Sequence, residues 1–242
     1  MKNVSRLKLA LKTSSFVVAA WLVGCGNPSS STQNTTNPND ASSTNAALPF
    51  FGDHDVQLID DGNGALVTDT TYFTVPYFAF INQDSLEITA DDYLGHVYVT
   101  DYFFTTCPTI CPMMSAQLSR LQDLLKSVNV WGDVKLLSHT VDPKNDTPDV
   151  LRAYGERLNA DFTHWNFVTG TEDELYDQAK FGYFLTALPS DTAAGGFFHS
   201  DTFALIDREG RIRGYYDGTS TQEVDQLFSD IQHLVNEAHG MD

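Results

Sequence analysis

The stretch FFTTCPTICPMM, residues 103–114, constrains this chain more than any other. It joins a continuous apolar, β-branched and aromatic run, GHVYVTDYFF, to a segment of helical spacing. In that segment Met114, Leu118, Leu121, Leu125 and Val128 form one stripe. Pro112 lacks an N–H and has a fixed φ, so it suits the first turn of a helix. Cys111 then lies near the helix N-cap, with Cys107 one irregular turn earlier. Residues four apart across such a turn can bring their sulfurs together. A helix N-terminus favours anions, so both thiolates are expected to form more readily than those of free thiols.

The remaining pattern sets the class. DVKLLSHTVD predicts a second buried strand and HWNFVTG a third. TPDVLRAYGERL predicts a helix, with Thr147 as N-cap and Pro148 at its first position. TEDELYDQAKFGYF predicts another, opened by a capping box of Thr171 and Glu174. A Gly-rich loop, PSDTAAGGFFHS, follows. DTFALID and RIRGYYDG predict strands joined through Arg208-Glu209-Gly210 as a hairpin, before a closing helix. Upstream, residues 48–89 read as short strands and turns. The expected fold is α/β and thioredoxin-like: a central mixed sheet flanked by helices, with a C-terminal β-hairpin. The dithiol lies where the first core strand meets its helix, at the sheet end where sites tend to form.

The N-terminus has a different character. Residues 1–24 carry Lys2, Arg6, Lys8, Lys12 and no acid, followed by an apolar run too short to span a bilayer comfortably. That run ends in Leu22-Val23-Gly24-Cys25, which resembles a bacterial lipoprotein box with Cys25 as the lipidated residue. Residues 25–47 are almost wholly Ser, Thr, Asn, Pro, Gly and Ala, a flexible tether. The expected domains are a lipoprotein signal peptide (1–24), the linker (25–47) and one folded domain (48–242). The expected location is extracytoplasmic, lipid-anchored to a bacterial membrane, on the periplasmic side. Net charge is −18, and about −22 without the first 24 residues. Such a surface argues against binding nucleic acid or anionic lipid by charge.

With Cys25 assigned to lipid, Cys107 and Cys111 are the only thiols left. A structural disulfide over a four-residue step closes too small a loop to stabilise much. Thiol–disulfide exchange and metal binding both remain open. C-x-x-C is the usual redox spacing, and the extra residue here widens the bite. A wide bite, soft sulfur donors and an extracytoplasmic place point to copper. Two thiolates give a linear Cu(I) site, and a third donor makes it trigonal. Of seven histidines, His54 and His96 fall in turns, His139 and His164 in strands, and His233 and His239 on or after the last helix. His199 differs, because it follows a flexible Gly195-Gly196 loop and precedes a sheet strand. In this fold that place lies beside the dithiol. Asp142 and Asp146 read as strand-end and helix-cap residues, with an acidic rim near the site as the functional alternative. Met113 and Met114 read as surface or core, with transient copper ligation as the alternative.

Three stretches together resemble the Sco/SenC family: FFTTCPTICPMM, HTVDPKNDTPDVLRAY and HSDTFALIDREGRI, in that order. The resemblance spans roughly residues 70–236. It implies that Cys107, Cys111 and His199 bind copper. It implies a metallochaperone that delivers copper to the binuclear copper centre of cytochrome c oxidase, or keeps that centre's cysteines reduced. The implied partner is the oxidase's copper-bearing subunit. Many family members use a transmembrane helix, where this chain shows a lipid signal. The alternative is an extracytoplasmic thiol–disulfide oxidoreductase using Cys107 and Cys111 as a reversible redox pair. Against that alternative stand the C-x-x-x-C spacing and the absence of Pro directly before DTFALID. A peroxidase of related fold lacks its supporting Thr and Arg arrangement.

Overall fold

The computed structural model describes residues 47–193 and 195–239. The expected leader, Cys25 and the linker up to residue 46 lie outside the described residues. Strands β1 (His54–Asp60) and β2 (Leu66–Tyr72) form a separate antiparallel pair, with His54 opposite Tyr72. Sequence patterning read only short strands and turns here. It could not show that these two pair with each other and stay outside the main sheet.

The main sheet begins with β3 (Ala79–Asn82) and β4 (Glu87–Thr89). It continues with β5 (Val97–Phe103), helix α1 (Cys111–Ser127), β6 (Val134–Thr140), α2 (Pro148–Arg157) and β7 (Trp165–Thr169). Helix α3 (Glu172–Asp177) and the strands β8 (Ala187–Pro189) and β9 (Phe197–His199) follow. The chain closes with β10 (Thr202–Ile206), β11 (Ile212–Asp217) and α4 (Thr221–His239). Seven strands are ordered β11-β10-β5-β6-β7-β3-β4. β5, β6 and β7 are parallel, and β10 runs antiparallel to both β5 and β11. Two parallel strands joined through a helix, followed by an antiparallel hairpin beside the first, make this a thioredoxin-like fold. No helix among the described residues is long and apolar enough to cross a membrane.

β5 is central and buried on both faces, which is why its sequence reads as a continuous apolar run. Successive side chains alternate across it. Phe103 stacks on Tyr154 of α2 on one face, while Tyr102 stacks on His139 on the other. The predicted α1 stripe is buried at Met114, Leu118, Leu121 and Leu125; Val128 follows the helix and is exposed. Thr147 and Pro148 open α2 as expected, although the Thr147 side chain makes no cap hydrogen bond. The Thr171–Glu174 capping box is complete, with the Glu174 N–H donating to Thr171 Oγ1.

Two elements differ from expectation. α3 covers only six residues and passes into one turn of π-helix over Gln178–Gly182. That wider turn carries Tyr183 into the aromatic layer beside Tyr98, Tyr102 and His139. The Gly-rich segment is no free loop. β8 and β9 pair as an antiparallel hairpin, placing Ala187 opposite His199 and Leu188 opposite Phe198. Its glycines occupy the turn, where Gly195 and Gly196 both adopt positive φ.

Candidate metal centre

Cys107 lies in the loop after β5, and Cys111 is the first residue of α1. The loop is fixed by a carboxylate. Asp146, buried between β6 and α2, accepts hydrogen bonds from the Thr105 N–H at 3.1 Å and from the Thr105 and Thr140 hydroxyls. The Thr-Thr before Cys107 and the Asp-rich stretch are therefore two halves of one bracket. The structural reading of Asp146 holds, but its partner is the cysteine loop rather than the helix cap. Asp142 is buried beside it and accepts from Asn145 Nδ2 at 2.7 Å.

His199 ends β9 on the inner face of the hairpin. Its Nδ1 lies 3.0 Å from the Ser200 carbonyl oxygen. A carbonyl only accepts, so Nδ1 carries the proton and donates. Burial holds the imidazole below the usual histidine range and keeps it neutral near pH 7. Nε2 is left with its lone pair and lies 3.0 Å from Cys111 Sγ. The Cys107 and Cys111 sulfurs and a His199 ring nitrogen lie within 4.8 Å of one another. Among the described residues this is the only group of three or more such donors so assembled. Neither cysteine is in a disulfide.

Phe104 clamps this arrangement from the sheet side. Its ring meets the His199 ring edge-on at 5.8 Å and the Phe197 ring at 5.3 Å. Gly195 lies so close that a Cβ there would fall 2.6 Å from the Phe104 ring. Glycine is required at this position by both its φ of +84° and that approach. The expected mobile His loop is thus a paired hairpin packed onto the strand that leads to the thiols.

The two thiols are not equivalent, which corrects the expectation for Cys111. Burial opposes ionisation of Cys107, but hydrogen bonds from Cys111 and from the Thr109 and Cys111 N–H groups outweigh it. Its thiol therefore lies below the usual range. Cys111 is raised well above it, first by burial and then by its hydrogen bond to Cys107. Of the two N–H groups that serve Cys107, one belongs to Cys111 at the start of α1 and the other to Thr109 in the loop before it. Cys111 is 1% exposed, Cys107 9% and His199 8%. Access to the centre is through a pocket of about 230 Å³ lined by Phe104, Cys107, Thr109, Phe197 and His199, among others.

Of the other candidates, Met114 is core and Met113 is exposed on α1. His139 is fully buried in the aromatic layer, and His164 bonds the Val134 carbonyl oxygen through Nδ1 at 3.0 Å. Cys25 lies outside the described residues. Sequence reasoning missed Phe104 and the Ser200 carbonyl, and read Gly195-Gly196 as a flexible loop where Gly195 is a fixed turn position against Phe104.

The SCO1/SenC family model matches residues 68–236. A SCO1/SenC family lipoprotein from Bacillus anthracis str. Ames is 30% identical, with a TM-score of 0.62. That likeness covers 66% of this chain and 94% of the other. BsSco, a member of the Sco family of cytochrome c oxidase assembly proteins in which a disulfide switch was identified, is also 30% identical. Its TM-score is 0.60, over 67% of this chain and 94% of its own. Yeast Sco1 with copper bound is 26% identical at a TM-score of 0.54, over 66% of this chain and 88% of its own.

Proposed function

The chain belongs to the SCO1/SenC family, and we propose that it is a copper-binding protein of cytochrome c oxidase assembly. In this reading copper is cargo, held by Cys107, Cys111 and His199. One observation carries the proposal: two sulfurs and an imidazole nitrogen, all on buried residues, gather within 4.8 Å beside a pocket lined by Cys107 and His199. Copper in yeast Sco1 and the assembly role of BsSco support it.

Soft thiolates suit Cu(I), and imidazole extends the set toward Cu(II). Two thiolates and a neutral imidazole around Cu(I) leave one net negative charge. Three donors leave the ion incompletely coordinated, so an incoming thiolate from the oxidase's copper-bearing subunit can exchange for Cys107, the more accessible sulfur. Both thiols must lose protons on loading, so affinity falls as pH falls. The N-terminal sequence adds the anchor. Residues 1–24 are a lipoprotein signal peptide and Cys25 takes the lipid. Residues 25–47 are a tether, and residues 48–242 a domain held outside the cytoplasm. The lipoprotein from Bacillus anthracis supports this arrangement.

Copper titration of wild type and His199→Ala, followed by the visible spectrum, tests the ligand set. The expected result is a weaker complex with an altered Cu(II) spectrum. Unchanged affinity and spectrum would remove His199 from the set. One observation favours a second reading, a thiol–disulfide reductase: the pair couples an ionisable outer thiol to a buried inner one, suited to attack and resolution. Turnover of a disulfide substrate by metal-free protein measures that activity separately.

A further inference from the structure

The hairpin that supplies His199 has a second face. Phe198 and His199 are successive residues of β9, so they project to opposite sides. His199 and its cross-strand partner Ala187 point inward and are buried. Leu188 and Phe198 form the adjoining cross-strand pair and are 47% and 57% exposed. Both strands pair only with each other among the described residues, and the exposure of Leu188 and Phe198 leaves this outer face open to solvent.

The pocket over Cys107 is apolar despite the acidic surface of the chain. The chain carries 32 acidic residues against 14 basic ones, yet no Asp, Glu, Lys or Arg lines the pocket over the thiols. Its wall is Phe104, Ile110, Phe197 and Phe198, with Thr109 and Ala193, around Cys107 and His199. Phe198 belongs to the pocket wall and to the exposed pair at once. A protein that takes copper from Cys107 must bring its own thiolate into this pocket, and so must touch this rim.

We infer that Leu188 and Phe198 form the docking surface for the copper-accepting protein, one that presents metal-binding thiolates within an apolar surface. This rests on the copper-delivery reading above. Recognition is apolar and adjoins metal binding, because His199 turns inward while its neighbour Phe198 belongs both to the pocket mouth and to the exposed pair. An interface of this kind concentrates its energy in a few aromatic and aliphatic anchors. A charge placed there would be desolvated on docking and would oppose it.

The test uses Leu188→Glu and Phe198→Glu, with Leu58→Glu on the exposed β1 strand as a surface control. Cu(I) affinity is measured for each. Calorimetry then measures binding of each reduced, copper-free protein to the copper-free soluble domain of the oxidase's copper-bearing subunit. Both rim variants are expected to bind the acceptor at least about tenfold more weakly with folded circular dichroism unchanged, and Leu188→Glu, outside the pocket wall, is expected to keep the wild-type Cu(I) affinity. Leu58→Glu is expected to match wild type in both measurements. Acceptor binding equal to wild type in both rim variants would overturn the docking surface, whatever the copper result. A wild type that binds the acceptor in a rim-dependent way but takes no copper would instead overturn the delivery reading alone.

Discussion

Two buried titratable groups next to the sheet's centre should govern how stability responds to pH. Asp101 points toward the α1 face of β5, and burial pushes its carboxyl up to about 7 despite a hydrogen bond from Ser138. His139 lies in the aromatic layer on the other face, and burial pushes it down to about 3. The signs oppose. Asp101 is raised, so its stability contribution is present below about pH 4 and is lost as pH rises to about 7. His139 is depressed, so its contribution is present above about pH 6.5 and is lost as pH falls toward 3. Between pH 4 and 6.5 the two slopes cancel. Asp101→Asn should leave the His139 slope exposed, with stability gained relative to wild type as pH rises through that window. His139→Phe should leave the opposite slope. Each difference from wild type should approach about 1.4 kcal/mol per pH unit at its steepest, read from urea unfolding at several pH values. Parallel curves for wild type and Asp101→Asn would show that Asp101 is not held protonated.

The cysteine loop, the β6–α2 connection and the β8–β9 hairpin work as three braces on one site. Asp146 is the joint between the first two, since one carboxylate satisfies the Thr105 N–H and two hydroxyls. Asp146→Ala would strand those donors in a buried place. The expected cost is about 2–3 kcal/mol of stability by thermal or urea unfolding. Copper affinity should fall about tenfold while the shape of the absorption spectrum stays the same, because the ligands remain and only their support is lost. A changed spectrum would mean that Asp146 acts on the metal rather than on the loop.

The folded domain is polar in its layout. β10 runs antiparallel to β5, so its turn to β11 lies at the β5 end remote from the thiols, where the Gly95 N–H donates to the Arg208 carbonyl. The first described residues dock there. Arg213 donates to the Leu48 and Pro49 carbonyl oxygens, and Phe51 bridges to Ile212. The proposed tether therefore joins the domain at the end away from the copper pocket. Cys25→Ser should move the protein from the membrane fraction to the soluble extracytoplasmic fraction, measured by fractionation and immunoblot. Copper affinity of the purified variant should be unchanged. Retention in the membrane fraction would show that the anchor lies elsewhere.

The sequence by itself determined the succession of core elements from β5 to β7 and from β10 to α4, the helix start at Cys111–Pro112 and the soft-donor chemistry of the pair. These follow from side-chain period, from proline's missing N–H and from sulfur itself, all of which act over a few residues. The sequence also singled out His199 by its place before DTFALID and by the family resemblance; only the tertiary structure decided that it meets Cys111 at 3.0 Å across 88 residues and that a paired hairpin carries it. The same packing separates the two thiols, burying Cys111 at the start of α1 while the Thr109 and Cys111 N–H groups serve Cys107. Burial and long-range hydrogen bonds belong to no local pattern. They arise only when elements distant in the chain close on one another, which is why a motif could name the sulfurs but not their unequal roles.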